Sequence, residues 1–133
     1  MDDDVRRILE GPNFAHIATV LPDGAPHSVP VWIHFEDGRV HFFTQTGSRK
    51  ARNIERDPRV ALSVLEVGNP YREAWVRGRV VERRDDEGIW DTIDAMSVRY
   101  LGKPFPWRSP DSVLYTVEIE RSGFYGLPFS PSQ

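Results

Sequence analysis

Apolar and polar positions alternate along this chain in short blocks, and proline, glycine and acidic residues separate the blocks. Val5, Ile8 and Leu9 fall at spacings of three and four, behind acidic Asp3 and Asp4 and ahead of Gly11-Pro12, which predicts a short helix from Asp3 to Glu10. A β-rich run from Phe14 to Leu21 leads into Pro22-Asp23-Gly24, a tight-turn sequence, and so into a hairpin. The second strand is expected from about His27 to Phe35, the next turn at Glu36-Asp37-Gly38, and a third strand from Arg39 to Thr44. Residues 48–56 fit a helix capped by Ser48 and stopped by Asp57-Pro58; its only apolar members, Ala51 and Ile54, imply thin burial. Val60, Leu62, Val64 and Val67 mark a fourth strand, Asn69-Pro70 a break, and Ala74 to Val81 a fifth strand. Asp85-Asp86-Glu87 open a longer helix that carries Ile89, Ile93, Met96 and Tyr100 and closes at Gly102 and Pro104. A final strand is expected from Val113 to Ile119, and Leu127 to Gln133 reads as a tail that frays.

Tight turns between the early strands exclude a doubly wound α/β fold. Six antiparallel strands with flanking helices suggest a mainly β fold closed as a barrel, since closure removes exposed edges. A length of 133 residues sets the expectation of one domain spanning residues 1–133.

Composition narrows the function. Without cysteine the chain has no disulfide, thiolate metal ligand or thiol nucleophile. Seventeen basic and twenty acidic residues give a formal charge of −3, which argues against nucleic acid as a partner. The apolar runs are too short to span a bilayer, so no membrane association is expected. The acidic start, Met1-Asp2-Asp3-Asp4, is unlike a secretory signal, and cytoplasmic residence is the expectation.

Nucleophile elbows of the Gly-x-Ser-x-Gly kind, P-loops and Gly-x-Gly-x-x-Gly turns do not occur. The four histidines, His16, His27, His34 and His41, lack metal-ligand spacing, and no metal is expected. His16, His34 and His41 read as partly solvated histidines at the sheet edge, bonded to backbone. Asp85 and Asp86 read as a solvated helix start. The stretch from Phe43 to Asn53 differs, because hydroxyls, a glycine and the bases Arg49, Lys50 and Arg52 gather where a strand feeds a helix N-terminus. Such a place suits a phosphate. A basic, solvated helix face explains the same residues equally well.

Laid out in order, Pro22-Asp23-Gly24, Pro30-Val31-Trp32, Phe43-Thr44, Gly47-Ser48-Arg49-Lys50 and Asp57-Pro58-Arg59-Val60-Ala61-Leu62 resemble the pyridoxamine 5'-phosphate oxidase-like flavin-binding superfamily. The resemblance covers roughly Ala15 to Val81. It implies a split β-barrel and a homodimer with two cofactors at the subunit interface. It implies that Arg49 and Lys50 hold the cofactor phosphate and that Thr44 and Ser48 donate hydroxyl bonds. The strand His27, Ser28, Val29, Pro30, Val31 and Trp32 would lie along the ring, with Phe43 and Asn53 completing the site. Histidine stands at 27 where the oxidase proper carries arginine, which makes that contact pH-dependent. Trp32 replaces the oxidase's substrate-binding lysine, and no Arg-x-His motif occurs before Gln133, which argues against pyridoxamine phosphate as substrate. Pro70-Tyr71, Val76-Arg77-Gly78 and Tyr100-Leu101-Gly102-Lys103 are most similar to the deazaflavin (coenzyme F420)-dependent branch. The resemblance thus implies an oxidoreductase that uses F420 to reduce a small conjugated molecule. FMN-dependent oxidoreduction and non-catalytic flavin or haem binding are its alternatives. No side chain is singled out as catalytic.

Overall fold

The computed structural model describes residues 1–131; Ser132 and Gln133, the end of the expected tail, lie outside the described residues. In chain order the elements are α1 (Asp3–Glu10), β1 (Ala15–Val20), β2 (Pro26–Val31), β3 (His34–Glu36) and β4 (Arg39–Gln45). They continue as α2 (Arg49–Arg56), β5 (Arg59–Glu66), β6 (Asn69–Arg84), α3 (Ile89–Leu101) and β7 (Ser112–Gly126). The seven strands form one antiparallel sheet in the order β2-β1-β5-β6-β7-β4-β3.

The expected second strand, His27 to Phe35, is two strands. β2 pairs with β1 through Val31↔Ala15, whereas β3 pairs with β4 from His34↔His41 onward. These two strands are the opposite margins of the sheet, yet only Trp32 and Ile33 separate them. Three Cα steps span at most about 11 Å. The sheet must therefore roll until its margins nearly meet, and the result is a split β-barrel with its seam between β2 and β3. Strand alternation continues through 27–35 because a change of pairing partner leaves no mark on local periodicity.

Two further boundaries shift. The turn between β5 and β6 is Val67-Gly68, with Gly68 at φ 84°, and Asn69-Pro70 begin β6 instead of breaking the chain. β6 and β7 are also longer than expected, 16 and 15 residues, and they coil around the barrel through register shifts at Arg77/Gly78 and Val80/Glu82. The start of the tail is tied down, since Leu127 N–H donates to Tyr71 C=O (3.0 Å) and the Phe129 ring meets Tyr71 edge-on.

The barrel interior is filled by Ile17 of β1, Phe42 of β4, Leu62 and Val64 of β5, Val76 of β6, and Val113, Tyr115 and Val117 of β7. α1 closes it with Val5, Ile8 and Leu9, and Asp2 caps that helix by accepting from Asp4 N–H (2.7 Å) and Val5 N–H (3.3 Å). α3 lies outside the barrel, where Ile89 and Ile93 pack with Leu114, Phe43, Trp90 and Phe105. β7 is thus covered on both faces, which explains the unbroken burial from Ser112 to Val117. Asn13 joins the layers: its amide donates to Ile8 C=O (2.7 Å) and accepts from Val67 N–H (2.6 Å).

Gly78 lies at one of the β6 shifts, where a Cβ would come within 2.0 Å of the Glu118 carbonyl oxygen. Gly78→Ala should cost about 3 kcal/mol, the upper end for overpacking, measured by urea denaturation. Gly47→Ala, with open space around the position, should leave the midpoint near wild type.

Candidate cofactor site

β4 delivers the chain to α2 through Thr46, Gly47 and Ser48. Ser48 is the cap: its Oγ accepts from Ala51 N–H (3.2 Å) and from the Thr44 hydroxyl (3.0 Å), and its carbonyl accepts from Arg52 N–H. The N–H groups of Arg49 and Lys50 then have no intrahelical partner and lie at the positive end of the helix dipole. Thr46 N–H donates to Asp111 C=O (3.0 Å), which ties the α2 approach to the start of β7.

The two bases behave differently. Arg49 Nε donates to Asn53 Oδ1 (3.0 Å), and Asn53 Nδ2 donates to Thr19 Oγ1 (3.0 Å). Asn53 is 0% exposed, so it sits beneath Arg49 as its support and has no face on the cleft. Lys50 instead lines a cavity of about 320 Å³ together with Phe14, Pro30, Val31, Trp32, Phe43 and Phe105. Burial lowers the Lys50 pKa. Among the described residues no carboxylate pairs with it. A half-buried ammonium in an apolar cleft is a site for an anionic ligand.

The cavity wall is aromatic. Trp32 stacks parallel to Tyr100 (5.0 Å between centroids, 4°) and meets Phe43 (6.3 Å) and Phe105 (5.8 Å) edge-on. Phe14 packs against the Tyr100 ring at 5.6 Å. The Tyr100 hydroxyl donates to Asn13 C=O (2.6 Å) and accepts from Ile33 N–H (3.2 Å), and burial raises its pKa. Arg99 donates to Ile33 C=O and to His34 Nδ1, each at 3.0 Å. The end of α3 therefore holds both backbone groups of Ile33.

The expected ring-facing strand is only partly at the cavity. Pro30, Val31, Trp32 and Phe43 line it, whereas His27, Ser28 and Val29 do not. Register puts His27 beside Thr19, and among the described residues its buried Nδ1 has no partner. Thr44, Ser48 and Arg49 gather at the adjoining helix start. Tyr100, Phe105 and Phe14 are additions that sequence reasoning missed. In the sequence Tyr100 reads as a core position and helix end, within the stretch that resembles the F420-dependent branch but without a role of its own; its signal is a phenol among apolar helix positions, which needs a polar partner when buried.

The remaining histidines meet expectation only in part: His34 is partly solvated on the marginal strand β3, as expected, and His41 is partly solvated on the interior strand β4. His16 is exposed on β1, an interior strand. His34 and His41 face each other across β3 and β4 (5.9 Å) and bond to side chains instead of backbone: His34 to Glu36 and Arg99, His41 to Thr116 (2.9 Å). Among the described residues no histidine and carboxylate cluster has metal-binding geometry, and none of the helices is long and apolar enough to cross a membrane.

A split barrel with a phosphate-type helix start beside an aromatic cleft defines a class of flavin-type cofactor binders. A family model described as pyridoxamine 5'-phosphate oxidase matches residues 1–125, and the chain belongs to that family. It is 35% identical to a pyridoxine/pyridoxamine 5'-phosphate oxidase of Rubrobacter xylanophilus, over 93% of this chain and 70% of that protein. A second oxidase so described, from Pectobacterium atrosepticum, is 36% identical over 54% of this chain but only 32% of its own length. The solved structure of an F420 reductase superposes with a TM-score of 0.81 at 32% identity, covering 92% of this chain and 98% of that one.

The paired histidines supply a pH prediction. Burial, then the neighbouring His34, lowers the His41 pKa below 6.5 against the pull of Glu36 and Glu82, with Arg39 adding a smaller lowering. Below that value the unfolded chain holds more of this proton than the folded one. The stability this site contributes is present above about pH 6.5 and is lost as pH falls through the folded-state value. In urea melts between roughly pH 7.5 and 5.5, His41→Gln should fall less steeply than wild type.

Proposed function

We propose that this chain is a coenzyme F420-dependent reductase that transfers hydride to a small conjugated molecule. Its likeness to the F420 reductase, 32% identity across 98% of that chain, carries the proposal. The donors present suit such a cofactor: the Lys50 ammonium, the Arg49 guanidinium, the Ser48 and Thr44 hydroxyls and the two helix-start N–H groups match an anionic phosphate. The cleft beside β2 matches a planar ring. When bound, the deazaflavin would supply one hydride, that is an electron pair with one hydrogen, and it reacts poorly with oxygen. The protein's own part is to anchor and orient. Lys50 and Arg49 hold the phosphate end, with Arg49 held by Asn53 and Asn53 by Thr19. Pro30, Val31 and Trp32 flank the ring along the margin of the sheet, while Trp32, Phe43 and Phe105 keep water from the reacting face. The buried His27 Nδ1, without a partner among the described residues, lies on the Thr19 side of β2 and off the cavity. A homodimer with the site at its interface belongs to this reading, supported by exposed Trp75, Tyr125 and Trp107.

FMN is the second reading, favoured by the 35% identity to the Rubrobacter oxidase, since the same phosphate donors serve it. Titration of the purified protein with each cofactor separates the two. F420 should bind at least about tenfold tighter, a difference of about 1.4 kcal/mol; the reverse order would establish the FMN reading. Lys50→Ala should weaken binding of the preferred cofactor by about 1.5–3 kcal/mol, the scale of a hydrogen bond to a charged group, with an unchanged urea midpoint. An unaltered dissociation constant would remove Lys50 from the site.

A further inference from the structure

The segment that follows α3 is pinned more heavily than a connecting loop requires. The Ser97 hydroxyl donates to Lys103 C=O (2.7 Å) at its start. Asp94 then holds it twice: Oδ1 accepts from Phe105 N–H (3.0 Å), and Oδ2 accepts from the Arg108 guanidinium. That guanidinium also lies over the Trp90 ring (4.8 Å). Pro104, Pro106 and Pro110 stiffen the backbone between these anchors, and Ser112 N–H donates to Ser109 C=O (3.1 Å) where β7 begins. One carboxylate thus fixes both ends of the stretch Phe105–Arg108.

The anchoring has a target. Phe105 meets Phe43 (5.1 Å, 72°) and Trp32 (5.8 Å, 82°) edge-on and lines the cavity. Phe43, Pro30 and Val31 belong to barrel strands and Lys50 to α2, which set their positions, while the Tyr100 ring of α3 orients the Trp32 indole. Phe105 comes from outside the barrel, and its place depends on Asp94. A wall carried by a loop can change without disturbing the scaffold, which is where specificity is usually set.

We propose that residues 102–110 form a fixed strap in which Asp94 positions Phe105 as the specificity-determining wall of the cleft, limiting the size of the planar ring it admits. The strap rests on the reading of this cleft as the seat of a planar ring. It adds the size of ring admitted and the residue that enforces the limit.

The test needs neither cofactor nor turnover. Calorimetric titration of the full chain with naphthalene-2-carboxylate and pyrene-1-carboxylate gives a ratio of dissociation constants that reports the admitted size. Wild type should prefer the smaller anion. Phe105→Ala should move the ratio about tenfold toward pyrene, the scale on which a pocket wall discriminates, and Phe105→Leu should restore most of the preference. Asp94→Asn, with Phe105 intact, should move the ratio in the same direction and speed tryptic cleavage after Arg108. An unchanged ratio in Phe105→Ala, faster cleavage with an unchanged ratio in Asp94→Asn, or no binding of either anion at about 1 mM would overturn the proposal. Failure of F420 to bind would count against the hydride-transfer reading while leaving this ratio as it is, so the two can fail separately.

Discussion

Trp32 and Ile33 join strands that form opposite margins of a seven-stranded sheet, and this two-residue link forces the sheet to close. Closure leaves a seam. At the seam the backbone groups of Ile33 are buried with no ladder to enter, and an unsatisfied group there would cost about 1–3 kcal/mol. The last turn of α3 supplies both partners, the Tyr100 hydroxyl for the N–H and Arg99 for the carbonyl. The same Tyr100 ring stacks on Trp32, an arrangement worth about 0.5–1.5 kcal/mol beyond the area it buries. A helix outside the barrel therefore satisfies the seam and fixes the orientation of the indole that walls the cleft.

The charged end of the site depends on a second line of contacts, running inward. Thr19 of β1 holds Asn53, Asn53 holds Arg49, and Thr44 of β4 holds the Ser48 cap. Thr19 and Thr44 belong to the sheet, so the start of α2 is registered against the barrel and cannot drift away from β2. Among the described residues Lys50 has no carboxylate partner in its apolar cleft, an arrangement that is costly unless a ligand's negative charge meets it. Fold and ligand chemistry meet at this lysine.

Local chemistry made much of this legible in the sequence. Asp3–Glu10, the Pro22-Asp23-Gly24 turn and the Ser48-capped helix follow from spacing, turn residues and caps, and the structure has them at nearly those boundaries. The hairpin at Asp37-Gly38 is likewise local, and both residues adopt the positive φ it needs, 54° and 74°. The resemblance to the oxidase-like superfamily drew attention to Ser48, Arg49 and Lys50. What stayed hidden depends on distant partners. The break at Trp32 is a change of strand partner within an unbroken alternating pattern, and the parts played by Tyr100 and Phe105 arise only when the end of α3 meets the seam. The resemblance gives Asn53 as part of the cofactor site, and its role as the buried support of Arg49 emerges only when Thr19, 34 residues away, is placed beside it.

The Ile33 amide should be protected only because Tyr100 accepts its hydrogen bond. Amide hydrogen exchange resolved at Ile33 measures this in the full chain. Slow exchange is expected in wild type and acceleration of about fivefold in Tyr100→Phe, equivalent to the roughly 1 kcal/mol net value of one hydrogen bond, with the β4 and β7 amides unchanged. Exchange at Ile33 as fast as in an open loop in wild type, or equal in the two proteins, would contradict this dependence on Tyr100.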